Sequence, residues 1–380
     1  MKKSFLIVLL STFIFVVRLS AQNLMKFELH EDGYWITDFG TIGSTLEIPA
    51  YYNNQKVVQS QVYHPAGNEN CKTIIFSEGM ETWCDQMDFS ESFQNVEKIV
   101  IPSTMKHIGG ESGYSIFHNK PNLREIDVSH KNEYFRIEHY SLYMKEKNSW
   151  NLVWHHPVRE ANRGIGIPSD IKYMSPYALY NVEVDYVYIP NVIGWKDDSP
   201  FTNGGLEGLT ANFVYLEPGI KYISPYQYLR SNVKYIYLPS SIDASEWDKG
   251  IETNTTIITD KDAYSVIEWA SKSKAKCIPC DKIAFPFDYE SFAYTEPTEN
   301  IRMRYGPSLD SSTIISIQKG SLLEQTTGVS DYEIIDGIFS RWVKVRTCNG
   351  AIDRNGNPIK KHTEGWCFGG YLKRNTFYKN

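Results

Sequence analysis

A short apolar triplet, often closed by proline, recurs through the first two-thirds of this chain and limits what it can fold into. The triplets end at Ile48, Phe76, Ile101, Val128, Ile167, Ile189, Leu216, Leu238 and Ile258, at separations of 28, 25, 27, 39, 22, 27, 22 and 20 residues. Proline follows as Pro49, Pro102, Pro168, Pro190 and Pro239. Having no N–H to donate, it ends a strand. One stretch repeats without gaps. Ile171-Lys172-Tyr173-Met174-Ser175-Pro176-Tyr177 returns 49 residues later as Ile220-Lys221-Tyr222-Ile223-Ser224-Pro225-Tyr226. At the same offset Tyr186-Val187-Tyr188-Ile189-Pro190 returns as Tyr235-Ile236-Tyr237-Leu238-Pro239. A triplet sends alternate side chains to opposite faces, so a single repeat cannot cover its own apolar side. Neighbours must cover it, and the expected product is a solenoid whose triplets pair into a ladder.

Seven of the eight separations fall in the roughly 20–29-residue range of leucine-rich repeats. The long step, from 128 to 167, holds an insertion: Tyr134 to Ile137, Leu142 to Met144 and Leu152 to Trp154 read as strands of a hairpin projecting from one repeat. The pattern resembles the BspA-like leucine-rich repeats of bacterial surface proteins. Asn122-Leu123-Arg124-Glu125-Ile126 is similar to the approach to a strand in that repeat, and Pro49 to Val58 to its opening repeat. Asn132 to Pro157 is similar to its hairpin insertion, and Thr255 to Ser271 to its closing helix. The resemblance covers residues 27–283. The expected organisation is a solenoid over 22–283, closed by Cys277-Ile278-Pro279-Cys280, then a linker over 284–296 containing Pro286.

Beyond the linker the pattern changes. Five short strands are expected: from Ile301 into a turn at Gly306-Pro307, then at Thr313 to Ile317, Ser321 to Gln325, Trp342 to Arg346 and Glu364 to Phe368. Five strands in so short a span suggest a small closed barrel. Met303 to Ser308, Trp342 to Val345 and Gly365 to Leu372 resemble the motifs of bacterial SH3-like (SH3b) domains, over residues 297–376, with a long distal hairpin at Asn349 to His362. The fold class expected is mainly β: a leucine-rich-repeat solenoid followed by a small SH3-like barrel. The SH3b resemblance implies binding of cell-wall peptides or other ligands. Tyr305, Trp342, Trp366 and Tyr371 are the candidate contacts, with barrel core the competing role for the two Trp.

The N-terminus has the layout of a secretory signal peptide over 1–21: Lys2 and Lys3, an apolar run from Ser4 to Val17, then Leu19-Ser20-Ala21. The apolar run is short of the roughly 20 residues that span a bilayer, and no second stretch approaches that length. Export to the periplasm, cell surface or medium is expected. An even set of six cysteines in an exported chain permits disulfides among Cys71, Cys84, Cys277, Cys280, Cys348 and Cys367, near neighbours being the simplest pairing.

The net charge is −6, with no Lys/Arg block, which argues against nucleic-acid binding. No zinc, nucleophile-elbow or phosphate-loop signature appears. The adjacent pair His155-His156 would point to opposite strand faces and reads as exposed surface. No catalytic residue, metal or cofactor is expected. The 26 Tyr residues suit strands and contact surfaces. Tyr186, Tyr188, Tyr235 and Tyr237 are the candidate contacts on the repeat face, with inward packing the competing role. The expected function is binding of proteins, host matrix proteins among them, or of cell-wall peptides. A peptidoglycan enzyme or its accessory subunit is the alternative.

Overall fold

The computed structural model describes residues 25–374, apart from 63–64, 85–91, 110–115, 118–119, 147, 158, 176, 192–205, 222, 224–227, 229–230, 249–252 and 285–293. The expected signal peptide lies outside the described residues. The chain opens with β1 (Lys26–His30) and β2 (Gly33–Asp38). The first triplet forms β3 (Thr45–Ile48), followed by β4 (Tyr51–Tyr52) and β5 (Gln55–Ser60). β1, β2, β5 and β4 make a sheet over the start of the solenoid. Asn53 and Asn54, at φ 46° and 61°, turn β4 into β5. Asn is one of the few residues that take this left-handed conformation readily.

The next triplets are β6 (Thr73–Phe76), β8 (Lys98–Ile101) and β10 (Glu125–Val128), separated by the short strands β7 (Thr82–Trp83) and β9 (His107–Ile108). β3, β6, β8 and β10 pair in parallel, side by side. Leu46, Ile74, Ile99 and Ile126 share one inward row, and Ile48, Phe76 and Ile101 line a second. Between turns, asparagines spaced by 27 residues close the loops: Asn95 Nδ2 donates to the Glu69 carbonyl at 2.8 Å, and Asn122 Nδ2 to that of Gln94 at 3.2 Å. Each bond satisfies a backbone oxygen that the narrow turn leaves without a ladder partner.

The insertion forms β11 (Phe135–Glu138), β12 (Ser141–Glu146) and β13 (Ser149–His155), antiparallel to one another. It does not project from a repeat as expected. Leu142, Met144, Val153 and Trp154 join the core of the first ladder, while Tyr143 and Leu152 join that of the second. Both faces of β12 and β13 are apolar, so the insertion is sandwiched between two stacks.

The second ladder comprises β14 (Arg159–Gly166), β16 (Glu183–Ile189), β17 (Thr210–Leu216), β18 (Asn232–Leu238), β19 (Thr256–Asp260) and β20 (Cys277–Cys280), all parallel. β15 (Ile171–Met174) pairs with β13. Val187, Val214, Ile236 and Ile257 stack inward in register. Helix α1 (Tyr264–Ser273) buries Val266, Trp269 and Ala270, and Lys274 ends it in the left-handed conformation. Beyond the helix, Cys277–Cys280 adds β20 as the last strand of this ladder.

The C-terminal sheet contains β21 (Lys282–Ile283), β22 (Tyr294–Pro297), β23 (Ile301–Arg304), β24 (Thr313–Ile317), β25 (Leu323–Ile335), β26 (Ile338–Thr347), β27 (Glu364–Phe368) and β28 (Leu372–Arg374). Met303, Ile317, Leu323, Val345 and Cys367 fill its core. The five expected strands are present, but two are much longer than the sequence suggested. β25 and β26 run on as a hairpin through residues 326–341, turning at Asp336 and Gly337 with φ 53° and 76°. The segment from Asn349 to His362, expected as a long hairpin, is mostly turns, with isolated bridges Ile317 to Asp353 and Ile352 to Pro358.

Candidate functional site

Each ladder has an outward face, and the two differ in what lies on them. On the second, one outward row runs Gly164, Tyr186, Phe213, Tyr235 and Thr256, and the next runs Gly166, Tyr188, Tyr215, Tyr237, Ile258 and Ile278. The four tyrosines expected as repeat-face contacts are therefore outward neighbours. They are not open to solvent, however: Tyr186 and Tyr237 are only 3% and 4% exposed, and Tyr188 and Tyr235 are half-buried.

The covering element is the β25–β26 hairpin. Tyr332 and Phe339 stack on each other at 5.2 Å and pack on Phe213 at 5.1 and 5.3 Å. Phe339 also meets Tyr235 at 5.4 Å. Beneath them Arg341 makes a two-pronged bond to Asp185, at 3.0 and 2.6 Å, with both side chains nearly inaccessible. Asn212 Nδ2 donates a further bond to Asp185 at 3.1 Å. Burial pulls the Arg341 guanidinium below its usual value, opposed by the Asp185 charge. At the rim Lys234 pairs with Asp331 at 2.7 Å. β21 pairs in parallel with β26, and the Asp281 amide donates to the Gly337 carbonyl at 2.8 Å. The row of Tyr188, Tyr215 and Tyr237 stacks at 5.7 and 5.1 Å beside this contact. Burial, then Glu217 and Asp260, raises the Tyr215 phenol to about 12.

In the barrel, Trp342 is core, its indole N–H donating to Glu333 and its edge meeting Phe368 at 5.8 Å. Trp366 and Tyr371 are half-buried. The Tyr371 hydroxyl donates to Asp336 at 2.5 Å, and burial, with that carboxylate, raises it to about 12. Tyr305 is 73% exposed, the one fully open ring among the eight aromatic candidates.

All six cysteines are free thiols, so the near-neighbour pairings are not formed. For Cys277 and Cys280 the strand itself is the reason. They lie three residues apart in β20, about 10 Å at strand rise, beyond the ~7 Å limit for a disulfide. Burial raises Cys71, Cys277 and Cys280 to about 11, which keeps them protonated and weakly nucleophilic at neutral pH. His155 and His156 do face opposite ways, but His155 is not surface: it is 3% exposed, with Nδ1 2.7 Å from the equally buried Ser141 Oγ. His156 packs beside Trp154 and Tyr140. Among the described residues no three His, Cys, Asp or Glu side chains gather as a metal site.

The first ladder keeps its outward face open. A groove of about 1050 Å³ crosses all four strands, from Met25, Thr45 and Tyr51 at one end to Asp127 and Ser129 at the other. Half-buried Ile75 and Val100 form its floor, and Glu47, Glu78 and Asp127 line it. The Ser103 hydroxyl and amide both donate to Glu78 and lower its pKa, fixing it as a carboxylate. None of these groove residues was singled out from the sequence. The signal was present in the middle residue of each triplet, Glu47, Ile75, Val100 and Asp127, which strand alternation turns away from the core.

No family model matches the chain, and no curated protein does. Three solved structures are similar to it. A leucine-rich repeat protein from Eubacterium ventriosum is 14% identical, with 64% of this chain and 92% of that one covered, at a TM-score of 0.29. The pneumococcal vaccine antigen PcpA is 12% identical, over 67% and 98%, at 0.24. The Treponema pallidum leucine-rich repeat protein TpLRR is 13% identical, over 62% and 78%, at 0.23.

Proposed function

We propose that this is an exported bacterial protein of the BspA-like leucine-rich-repeat type that binds partner proteins through the outward face of its first ladder. The observation that carries the reading is the groove over Ile75 and Val100. It is apolar at the floor, polar at the rim and covered by no other element of the described chain. Solenoids bind through such extended faces, and a contiguous exposed patch with apolar floor and polar rim marks an interaction site. The C-terminal barrel, in this reading an SH3b-like module, holds the second face closed and presents Tyr305 outward.

The test is retention of the mature full chain on immobilised envelope and host-matrix proteins, compared with Ile75→Arg. The variant puts a charge on the groove floor without entering the core, so the expected result is loss of most retention with unchanged thermal stability. Equal retention by both, or retention by neither, overturns the reading. A peptidoglycan-directed role draws on a different residue, Tyr305. Sedimentation of the full chain with purified sacculi, weakened by Tyr305→Ala, supports that role, and no sedimentation removes it.

A further inference from the structure

The first ladder's register fixes a chemical pattern across the groove. Glu47 pairs with Ile75, Ile75 with Val100 and Val100 with Asp127, so these four side chains form one row perpendicular to the strands. The row reads acid, apolar, apolar, acid. Neighbouring strands lie about 4.8 Å apart, so three steps separate the two acidic positions by about 14 Å. Glu47 and Asp127 are both exposed, while Ile75 and Val100 are half-buried. Glu78 adds a third carboxylate, and no Lys, Arg or His lines the groove. Two cations stand just outside that lining: Lys98, in the neighbouring row with Thr45, Thr73 and Glu125, pairs at 2.5 Å with Glu125 and at 3.5 Å with Asp127, and the charge of Lys131 acts on Glu78. An extended peptide advances about 3.4 Å per residue and shows every second side chain to one face. Residues i and i+4 on that face are then about 14 Å apart, the separation of Glu47 and Asp127.

Resting on the binding role given to this face, we infer that its occupant is an extended protein segment laid across the strands. That segment carries Lys or Arg at i and i+4 and an apolar side chain at i+2. The apolar residue sits on Ile75 and Val100, and the two cations reach Glu47 and Asp127. Charge complementarity selects this partner over an acidic one, which would bring anions against three carboxylates. A single exposed ion pair is weak, so the selectivity comes from two acting together and weakens with salt.

The experiment uses the mature full chain and three synthetic peptides of one length. The first has Lys, Leu and Lys at i, i+2 and i+4 among Thr and Ser. The second has the same composition with the two Lys adjacent, and the third has Glu in place of Lys. The first peptide is expected to bind several-fold more tightly than the second. The third is expected to show no measurable binding, and the preference should shrink at high salt. Glu47→Gln with Asp127→Asn should bring the first and second peptides to equal affinity, and both positions are exposed enough for the fold to be kept. Equal binding of the first two by the unaltered chain, or a preference that survives the double variant, overturns the inference. If partner retention is lost in Ile75→Arg while the peptides are not distinguished, the face still binds but its occupant has different chemistry. If Ile75→Arg changes nothing, the functional reading fails as well.

Discussion

Asp185 and Arg341 stand 156 residues apart in sequence and meet, both nearly inaccessible, in the contact between solenoid and barrel. Two charges taken out of water are offset only by good geometry and by further hydrogen bonds. Here the guanidinium meets both carboxylate oxygens, Asn212 donates a third bond, and the Arg341 guanidinium lies 4.8 Å over the Tyr332 ring. Arg341→Met leaves the Asp185 carboxylate buried without its cation. The expected cost is about 3–5 kcal/mol, read from urea unfolding. Replacing both partners, Asp185→Leu with Arg341→Met, should recover most of that loss. Equal instability of the single and double variants would mean that the pair matters through packing and not through charge. Neither residue was visible as special in the sequence, because a lone Asp and a lone Arg on strands read as solvated charge. Only their juxtaposition gives them a role.

Among the elements, the β25–β26 hairpin is the one that sequence reading cut short. Its turn was legible: Asp336-Gly337 between Glu333-Ile334-Ile335 and Ile338-Phe339 is a strong two-residue hairpin signal. The strand arms were hidden because Gly328, Ser330 and Asp331 interrupt the alternation, and the pairing shifts register there. Gly337 has two reasons to be glycine. Its φ is 76°, and a Cβ would lie 2.1 Å from the Asp281 carboxylate, beside the amide that donates to the Gly337 carbonyl. Gly337→Val is expected to cost about 1–3 kcal/mol from backbone strain, with added loss from the displaced contact. Hydrogen exchange at the Asp281 and Ala284 amides, which bond to Gly337 and Phe339, should rise. Gly320, at φ 79° but with open space around it, separates the two effects. Gly320→Val should show the strain alone and leave those amides protected. The insertion carries a parallel lesson. The β12 and β13 strands were readable, but whether they project or are buried depends on what stacks on each side.

At the scale of the whole molecule, the aromatic outward face of the second ladder is the surface on which the barrel seats. Phe213, Tyr235, Tyr332 and Phe339 form a core shared between the two parts. A shared apolar core couples unfolding, so the full chain is expected to melt in one calorimetric transition despite having two architectures. Phe339→Asp places a charge in that core and should split the transition in two. The first ladder's groove should still bind partner, since its residues lie on the other stack. A single transition retained by Phe339→Asp would show that coupling runs through β21 and the backbone instead.

The sequence by itself determined the triplets, their period, the strand at each, the two-part organisation and the inward rows. These follow from local rules: alternation at period two, proline as a stop, and the inability of one repeat to bury its own face. It left open which outward face is free. Tyr186 and Tyr237 look like contact residues in sequence and are buried in the structure, while Glu47, Ile75, Val100 and Asp127 look ordinary and line the open groove. Exposure belongs to pairs of surfaces and not to residues. The same outward tyrosine is a binding surface or an internal seam according to whether a distant hairpin of the same chain is long enough to reach it. That was decided only when residues 326–341 folded back on the second ladder.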